Sequence, residues 1–263
     1  MKIKDIKIRM CRHKQPVMKN SEMRDGKKSD LEFLVITFET DSGLTASTFG
    51  FAGRGALMAG EIANSIFKPF FLNKDPLYRE KHWHEYRTAD RWWNHAPIYS
   101  YGPFDINCWL LSAMQAEQPL YKYLGAYRDT VPIYASSLVL DSPDAYAKEA
   151  LEYKKRGFNA YKLHPPGNYE FDLEAHKAVR KAVGNEFKLM SDPVAPYTFE
   201  QALRFGRELE KLNYYWYEEP LFDENFHGLR ELTRILDIPI IGTEVIAKHP
   251  YSVAECISTR VVD

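Results

Sequence analysis

The order of apolar and polar residues changes twice along the first half of the chain. Residues 3–10, 31–39 and 44–51 alternate with the two-residue period of half-buried strands, and residues 41–43 (Asp-Ser-Gly) predict a turn between the last two. From Gly55 to Gly125 the apolar residues recur at helical spacing, with the last helix expected at 106–124. The pattern therefore predicts an α+β domain over residues 1–125, made of three antiparallel strands followed by helices.

The second half alternates short β-rich runs with amphipathic stretches. Strands are predicted at 131–137, 160–164, 187–191, 214–217 and 238–242, with the beginning of another at 260–263. Helices are predicted at 143–156, 172–183, 198–211, 225–235 and 250–258. Because one strand and one helix recur every roughly 25 to 30 residues, parallel pairing through right-handed crossovers is expected. This favours a parallel (β/α) TIM-type barrel over residues 126–263, incomplete after about five and a half of the usual eight strands.

The segment between the first two strands has no apolar period. Residues 12–30 are rich in Lys, Ser, Asn and Gly, which predicts a solvated loop, and a mobile lid is the alternative.

Composition excludes several classes of protein. Of 263 residues 45% are hydrophobic, which is typical of a globular protein, and 35 basic against 36 acidic residues favour neither nucleic acid nor an anionic membrane as a partner. No apolar run reaches the ~18 residues of a membrane span, and the chain opens with a strand pattern instead of a signal peptide, so a cytoplasmic protein is expected. Cys11, Cys108 and Cys256 are expected to be packing residues in a reducing compartment. No glycine-rich phosphate loop supports nucleotide binding.

Polar residues stand at the ends of the predicted barrel strands, where parallel barrels carry their reacting groups. Lys162 and His164 end one strand, and the two-residue period directs both to the same side. Asp192, Glu218 and Glu244 end the next three strands, and 26 residues separate each from the next. The spacing predicts three carboxylates on three successive strand ends.

Three converging carboxylates repel one another unless a cation compensates them, and rigidly held oxygen donors suit Mg²⁺. We therefore expect Asp192, Glu218 and Glu244 to bind Mg²⁺. The ion would favour removal of a proton beside a substrate carboxylate, and Lys162 or His164 would supply the base or bind the carboxylate. A nearby dication should also favour the unprotonated form of either residue.

Simpler interpretations remain for the same residues. A single Asp or Glu after a strand is usually a helix N-cap or turn residue, and His164 alone would be a hydrogen-bonded core histidine. Glu219 points to the other side of its strand, where a salt bridge is expected. No metal is expected at residues 82–85 (His-Trp-His-Glu), which face different directions on a helix. The other histidines are expected to be solvated or to cap helices: His13, His95, His176, His227 and His249.

The chain resembles the enolase superfamily, in its mandelate racemase and muconate lactonizing enzyme branch. The resemblance spans the chain and rests on residues 105–109 (Asp-Ile-Asn-Cys-Trp) through 118–125 (Gln-Pro-Leu-Tyr-Lys-Tyr-Leu-Gly), which are similar to the last capping-domain helix and the start of the barrel. It also rests on residues 218–220 (Glu-Glu-Pro) and on the spacing of Asp192 and Glu244.

The resemblance implies a capping domain before the barrel, Mg²⁺ on the three carboxylates, and Lys162 and His164 at the positions of the family's Lys-x-Lys motif. Residues 12–30 and a turn at 49–51 (Phe-Gly-Phe) would be the capping loops that close over substrate. It implies a small carboxylate substrate, most often an acid sugar, and a homo-oligomer.

The chain departs from the family pattern in three places. His164 replaces the second lysine, and Val194 stands where many members carry Asn. The sequence ends at Asp263, before the family's strand-six Asp and strand-seven His, so we expect a fragment of a longer chain. Three functions follow as hypotheses: acid-sugar dehydration through an enediolate, racemisation or epimerisation of a related carboxylate, and a truncated homologue that binds metal or carboxylate without turnover.

Overall fold

Two separate sheets organise the chain in the computed structural model, which describes residues 1–14, 30–53, 55–92, 96–246 and 249–263. The described residues form two compact units, one up to Thr130 and one from Val131. The predicted loop at 12–30 lies for the most part outside the described residues; its ends belong to strands. None of the helices in the described ranges is long and apolar enough to cross a bilayer.

The first unit contains an antiparallel sheet followed by helices. Its strands pair in the order β1-β2-β3. They are β1 (Ile3–Lys14), β2 (Asp30–Thr40) and β3 (Thr45–Gly53). The helices are α1 (Ala56–Ile62), a π-helical turn (Ala63–Phe67), α2 (Lys68–Phe71), α3 (Arg79–Trp92), α4 (Ile98–Gln115) and α5 (Leu120–Tyr123).

Two local predictions in this unit are wrong. Phe49, Gly50 and Phe51 are not a turn but part of β3, paired with β2. Glycine suits position 50 because an added Cβ would lie 3.1 Å from Pro103 Cγ, where α4 packs on the sheet. The predicted helix 106–124 is in fact two helices. α4 begins earlier, at Ile98, and helical structure is interrupted at Glu117, which has a φ of 52°.

The second unit alternates strands and helices as predicted. Its five parallel strands pair in chain order, β4-β5-β6-β7-β8. They are β4 (Ala135–Ser136), β5 (Ala160–Leu163), β6 (Lys188–Ser191), β7 (Trp216–Glu218) and β8 (Ile240–Ile241). The helices are α6 (Pro143–Lys155), α7 (Tyr169–Val183), α8 (Phe199–Lys211), α9 (Phe226–Ile235) and α10 (Pro250–Ser258).

The boundaries differ from the prediction mainly at the two edges of this sheet. Only Ala135 and Ser136 of the predicted strand 131–137 form a ladder. Residues 260–263 are not a strand, and Arg260 has a φ of 51°. The Asp263 N–H nevertheless donates to the Ile240 carbonyl over 2.8 Å, on the side of β8 away from β7. The five-stranded parallel sheet is therefore established, while its closure into a barrel stays a prediction.

Capping side chains start the helices of this unit. Ser142, Asn168, Thr198 and Asn225 each accept a hydrogen bond from a backbone N–H in the first turn of α6, α7, α8 and α9. His249 caps α10, in line with its expected capping role. Each capping residue ends the loop that follows the preceding strand, so the loop is held by a strand at one end and by a helix cap at the other.

Candidate functional site

Two basic side chains at the end of β5 contact one carboxylate at the end of β6. Lys162 Nζ lies 2.8 Å from Asp192 Oδ2, and His164 Nε2 lies 2.9 Å from the same oxygen. The parallel register places them together, because Leu163 pairs with Ser191 and the Asp192 N–H donates to the Leu163 carbonyl. Lys162 and His164 therefore face the same side of the sheet, as the two-residue period predicts.

Lys162 also joins the next strand to this group. Its Nζ donates to Glu218 Oε2 over 2.9 Å, and the indole Nε1 of Trp216 donates to the same oxygen over 3.2 Å. Lys162 and Asp192 are buried, and the Glu218 side chain is 15% exposed. One ammonium thus bridges two of the three predicted metal ligands.

The imidazole of His164 is held from the other side by Ser137, which follows β4. Its Nδ1 lies 2.8 Å from the Ser137 carbonyl oxygen, and its backbone N–H donates to Ser137 Oγ over 2.9 Å. A carbonyl and a carboxylate both only accept, so Nδ1 donates to Ser137 and Nε2 donates to Asp192. The side chain is 26% exposed, so His164 is in contact with solvent.

The polar contacts of Lys162 and Asp192 together shift the pKa of each residue further than burial does. Burial alone would raise the pKa of Asp192, but hydrogen bonds from His164 and Lys162 hold it below its ordinary value. Burial alone would lower the pKa of Lys162, yet its hydrogen bonds to Asp192 and Glu218 raise it above the ordinary lysine value. In this arrangement Lys162 is a cation, in contrast to the unprotonated form expected beside a dication.

The third predicted ligand, Glu244, lies on an exposed turn after β8. Among the described residues, no group of three or more His, Cys, Asp or Glu side chains is placed to hold a metal ion as the side chains stand. Asp192 and Glu218 are brought together through Lys162. The prediction that Glu244 joins them around one ion stays a prediction.

Glu219 does not make the salt bridge expected of it. It is buried, and its Oε1 has no hydrogen-bond partner in the described part of the chain. Burial raises its pKa to about 7, and the carboxylates of Asp223, Asp192, Glu244 and Glu218 add to the rise. Glu219 therefore experiences the repulsion that the sequence predicts for this edge of the sheet.

Left-handed backbone recurs at the three carboxylate-bearing strand ends. Val194 and Ala195 follow Asp192 with φ of 61° and 59°, and Glu219 follows Glu218 with φ of 41°. Thr243 precedes Glu244 with φ of 75°. Residues other than glycine rarely adopt this conformation, and a β-branched threonine least of all, so the surrounding contacts must enforce it. Such strain clusters at binding and catalytic sites.

The donor chemistry at these strand ends fits a hard divalent cation. Oδ1 of Asp192 and Oε1 of Glu219 are both buried, and neither atom has a hydrogen-bond partner among the residues that the structure describes. Carboxylate oxygens are the donors that Mg²⁺ prefers. A cation would also relieve the repulsion that raises the pKa of Glu219. The residues present thus fit Mg²⁺ in kind.

The predicted role of His176 is wrong. This histidine is fully buried, neither solvated nor capping, and its Nδ1 donates to the Asp172 carbonyl while Nε2 lies 2.8 Å from Ser191 Oγ. Burial lowers its pKa to about 4, so the neutral ring connects α7 to β6 one residue before Asp192.

Two further residues were not singled out from the sequence. Ser137 ends the predicted strand 131–137 and directly follows β4, so the rule that identified Lys162 and Asp192 would also have identified Ser137. Asp223 accepts hydrogen bonds from residues 20 and 22 positions away, and no local pattern indicates such contacts.

Comparison with known proteins identifies relatives for most of the chain. Residues 145–263 match the family described as enolase C-terminal domain-like. L-talarate/galactarate dehydratase of Salmonella typhimurium is 36% identical over 152 residues, 57% of this chain and 38% of that protein. Hydrophobic dipeptide epimerase of Enterococcus faecalis is 28% identical over 250 residues, 93% of this chain and 68% of that protein. The chain thus spans less than half the length of this dehydratase.

A solved structure agrees with these matches. D-glucarate dehydratase of Agrobacterium tumefaciens, crystallised with magnesium, superimposes with a TM-score of 0.88 at 28% identity. The match covers 100% of this chain and 72% of that one. Sequence and fold are both similar to acid-sugar dehydratases, epimerases and racemases of the enolase superfamily, and residues 145–263 carry the enolase C-terminal domain-like family match.

Proposed function

We propose that the chain carries a Mg²⁺-dependent site that removes the α-proton of a carboxylate substrate through an enediolate and leads to dehydration of an acid sugar. The observation that carries this proposal is the convergence of Lys162 and His164 on Asp192, with Glu218 joined through Lys162. The dehydratases among the relatives support dehydration as the outcome of the reaction.

Asp192, Glu218 and Glu244 would hold the metal. Bound Mg²⁺ supplies positive charge that acidifies the C–H beside a substrate carboxylate and stabilises the enediolate. The magnesium in the related D-glucarate dehydratase supports this choice of ion.

His164 is the group best suited to move the proton. Its Nδ1–H is committed to the Ser137 carbonyl, so Nε2, which here donates to Asp192, is the atom that would exchange a proton with substrate once that carboxylate binds the metal. Lys162 is more deeply buried and is held between two carboxylates, so its part is to place positive charge beside the substrate carboxylate. The proton taken up at Nε2 can then pass to the β-hydroxyl, which leaves as water.

Epimerisation is the second candidate, favoured by the match to a dipeptide epimerase along 93% of this chain. The first step is the same removal of the α-proton. The second step returns a proton to the opposite face of the α-carbon, so no water is lost. Product analysis separates the two reactions.

Proton exchange in deuterated water tests the proposal. The protein is incubated with Mg²⁺ and galactarate, talarate, glucarate, arabinonate or hydrophobic dipeptides, and the products are analysed by NMR. A 2-keto-3-deoxy acid identifies dehydration, and an α-deuterated epimer identifies epimerisation. Removal of Mg²⁺ with EDTA should stop either reaction. Mg²⁺ binding without exchange on any substrate would support the non-catalytic alternative.

Two variants test the assigned roles. His164→Gln should abolish exchange while Mg²⁺ affinity is retained, and His227→Gln, which changes an exposed histidine near the start of α9, is the matched control. Glu218→Gln should weaken Mg²⁺ binding by about tenfold or more. Unchanged affinity in a folded Glu218→Gln protein would remove Glu218 from the ligand set.

A further inference from the structure

The turn that carries Glu244 is held by a buried carboxylate from the preceding loop. Asp223 lies between β7 and α9 and is 5% exposed. Its Oδ1 accepts from the Thr243 N–H over 3.1 Å, and its Oδ2 accepts from the Val245 N–H over 2.9 Å. The two donors flank Glu244, so both oxygens of one side chain clamp the backbone on either side of that residue.

The clamped backbone is strained at the residue before Glu244. Thr243 has a φ of 75°, a conformation that a β-branched residue adopts only when its surroundings impose it. A charged acceptor on the Thr243 N–H is a strong local contact that can impose it. Gly242, on the other side of Thr243, lies close to Asp223, because an added Cβ would be 3.5 Å from Oδ1.

The neighbouring strand ends are joined in a comparable way through the backbone. The Ala195 N–H donates to the Glu219 carbonyl over 2.7 Å, which ties the left-handed segment after Asp192 to the left-handed residue after Glu218. Asp223 likewise connects the loop after β7, in which it lies, to the turn after β8. The three carboxylate-bearing ends are thus linked in sequence across the sheet.

We propose that Asp223 is a positioning residue that holds the Glu244 turn in its strained conformation and so places the Glu244 carboxylate for the metal. The inference rests on the proposed function, because it assumes that Glu244 is a ligand. Asp223 acts through the backbone N–H groups of Thr243 and Val245 and does not itself touch the ion. Contacts that orient ligands typically change metal affinity by about 10- to 100-fold when they are lost.

Metal affinity and amide exchange test this role together. Mn²⁺ binding is measured by EPR titration of the folded full chain for the wild type, Asp223→Asn, Glu244→Gln and the control Glu224→Gln, which changes the exposed neighbouring carboxylate. Asp223→Asn should weaken Mn²⁺ binding by about tenfold and accelerate hydrogen exchange at the Thr243 and Val245 amides. Glu224→Gln should leave both properties unchanged. Asp223→Glu keeps two carboxylate acceptors and should recover part of the affinity, and it also serves if the asparagine variant does not fold.

The outcomes separate this inference from the proposed function. The role of Asp223 is wrong and the metal site stands if Glu244→Gln weakens Mn²⁺ binding while Asp223→Asn binds as tightly as the wild type with unchanged amide exchange. If the asparagine variant does not fold, wild-type affinity and exchange in Asp223→Glu lead to the same conclusion. If the wild type does not bind Mn²⁺, the metal site itself is wrong, and the inference falls with it.

Discussion

The ammonium of Lys162 lies 2.8 Å from Asp192 Oδ2, and this short distance makes the lysine the counter-ion of a buried carboxylate. Its second partner, Glu218, would otherwise face Asp192 across the same space. Lys162→Met should therefore lower the free energy of unfolding by about 3 kcal/mol without metal, because the buried Asp192 and the half-buried Glu218 lose their compensating charge. Chemical denaturation in EDTA measures the change, and added Mg²⁺ should restore part of it.

Lys211→Met is the matched control for Lys162→Met. Lys211 pairs with Glu208 on the surface of α8, and its side chain is 69% exposed. Exposed pairs contribute about 0–1 kcal/mol, so this variant should be near wild type. Equal losses in the two variants would contradict the counter-ion role of Lys162.

Arg180 should be essential to stability at the amino-terminal ends of the parallel strands, opposite the carboxylates. Its buried guanidinium donates to the carbonyls of Leu212, Gly184, Phe187 and Asn213 over 2.6 to 2.8 Å. Arg180→Lys cannot satisfy this fork of acceptors and should cost about 3 kcal/mol of unfolding free energy, measured by urea denaturation.

Arg234→Lys provides the comparison for Arg180→Lys. Arg234 pairs with Glu231 on the surface, and its side chain is 68% exposed, so the variant should unfold at close to the wild-type urea concentration. A small loss for Arg180→Lys would mean that the four carbonyls find other donors.

Two glycine-to-alanine substitutions should act in opposite directions. A Cβ on Gly206 in α8 would lie 2.4 Å from Leu236 Cδ1, so Gly206→Ala should destabilise the protein by about 1–2 kcal/mol despite alanine's higher helix propensity. A Cβ on Gly60 in α1 would lie 3.5 Å from Leu34 Cδ2, an ordinary contact. Gly60→Ala should stabilise by about 0.5–1 kcal/mol. Thermal unfolding decides, and a lower Tm for Gly60→Ala would contradict this packing.

Asp172 and His176 should make opposite contributions to stability between pH 6 and 4. Burial raises the pKa of Asp172 to about 6, so its destabilising ionised form is relieved as the pH falls through this range. Burial lowers the pKa of His176 to about 4, so stability is lost as the pH falls from 6.5 towards 4 and the unfolded state takes up a proton.

Single variants should expose each contribution. As the pH falls from 6 to 4, Asp172→Asn should lose stability relative to wild type by about 2 kcal/mol, and His176→Gln should gain a similar amount. Urea denaturation at several pH values gives the unfolding free energy of each variant relative to wild type. The contributions of the other carboxylates cancel in this difference. Slopes of the same sign would show that one of these groups is not buried as described.

Local signals predicted most of the second unit. Thr198 and Asn225 cap α8 and α9 at the predicted helix starts, and the two-residue period placed Lys162 and His164 on one side of β5. These features depend on residues close in sequence. The spacing of Asp192, Glu218 and Glu244 could be read because each β/α unit contributes one strand end.

The remainder depends on contacts between distant residues. His176 was misassigned because a histidine on an amphipathic helix does not reveal that Ser191 lies beneath it. Glu219 was expected to have a cation partner, yet four carboxylates surround it. The start of α4 was missed because it lies before Pro103, a residue that usually interrupts a helix. Here Pro103 lies inside α4 and packs against Gly50 of β3.

The Arg180 contacts and the carboxylates occupy opposite ends of the same strands. Arg180 secures the segments that lead into β6 and β7, whereas Asp192 and Glu218 stand where those strands finish. Substitutions at the carboxyl ends of β6 and β7 should consequently leave the Arg180 contacts at the amino-terminal ends of these strands intact.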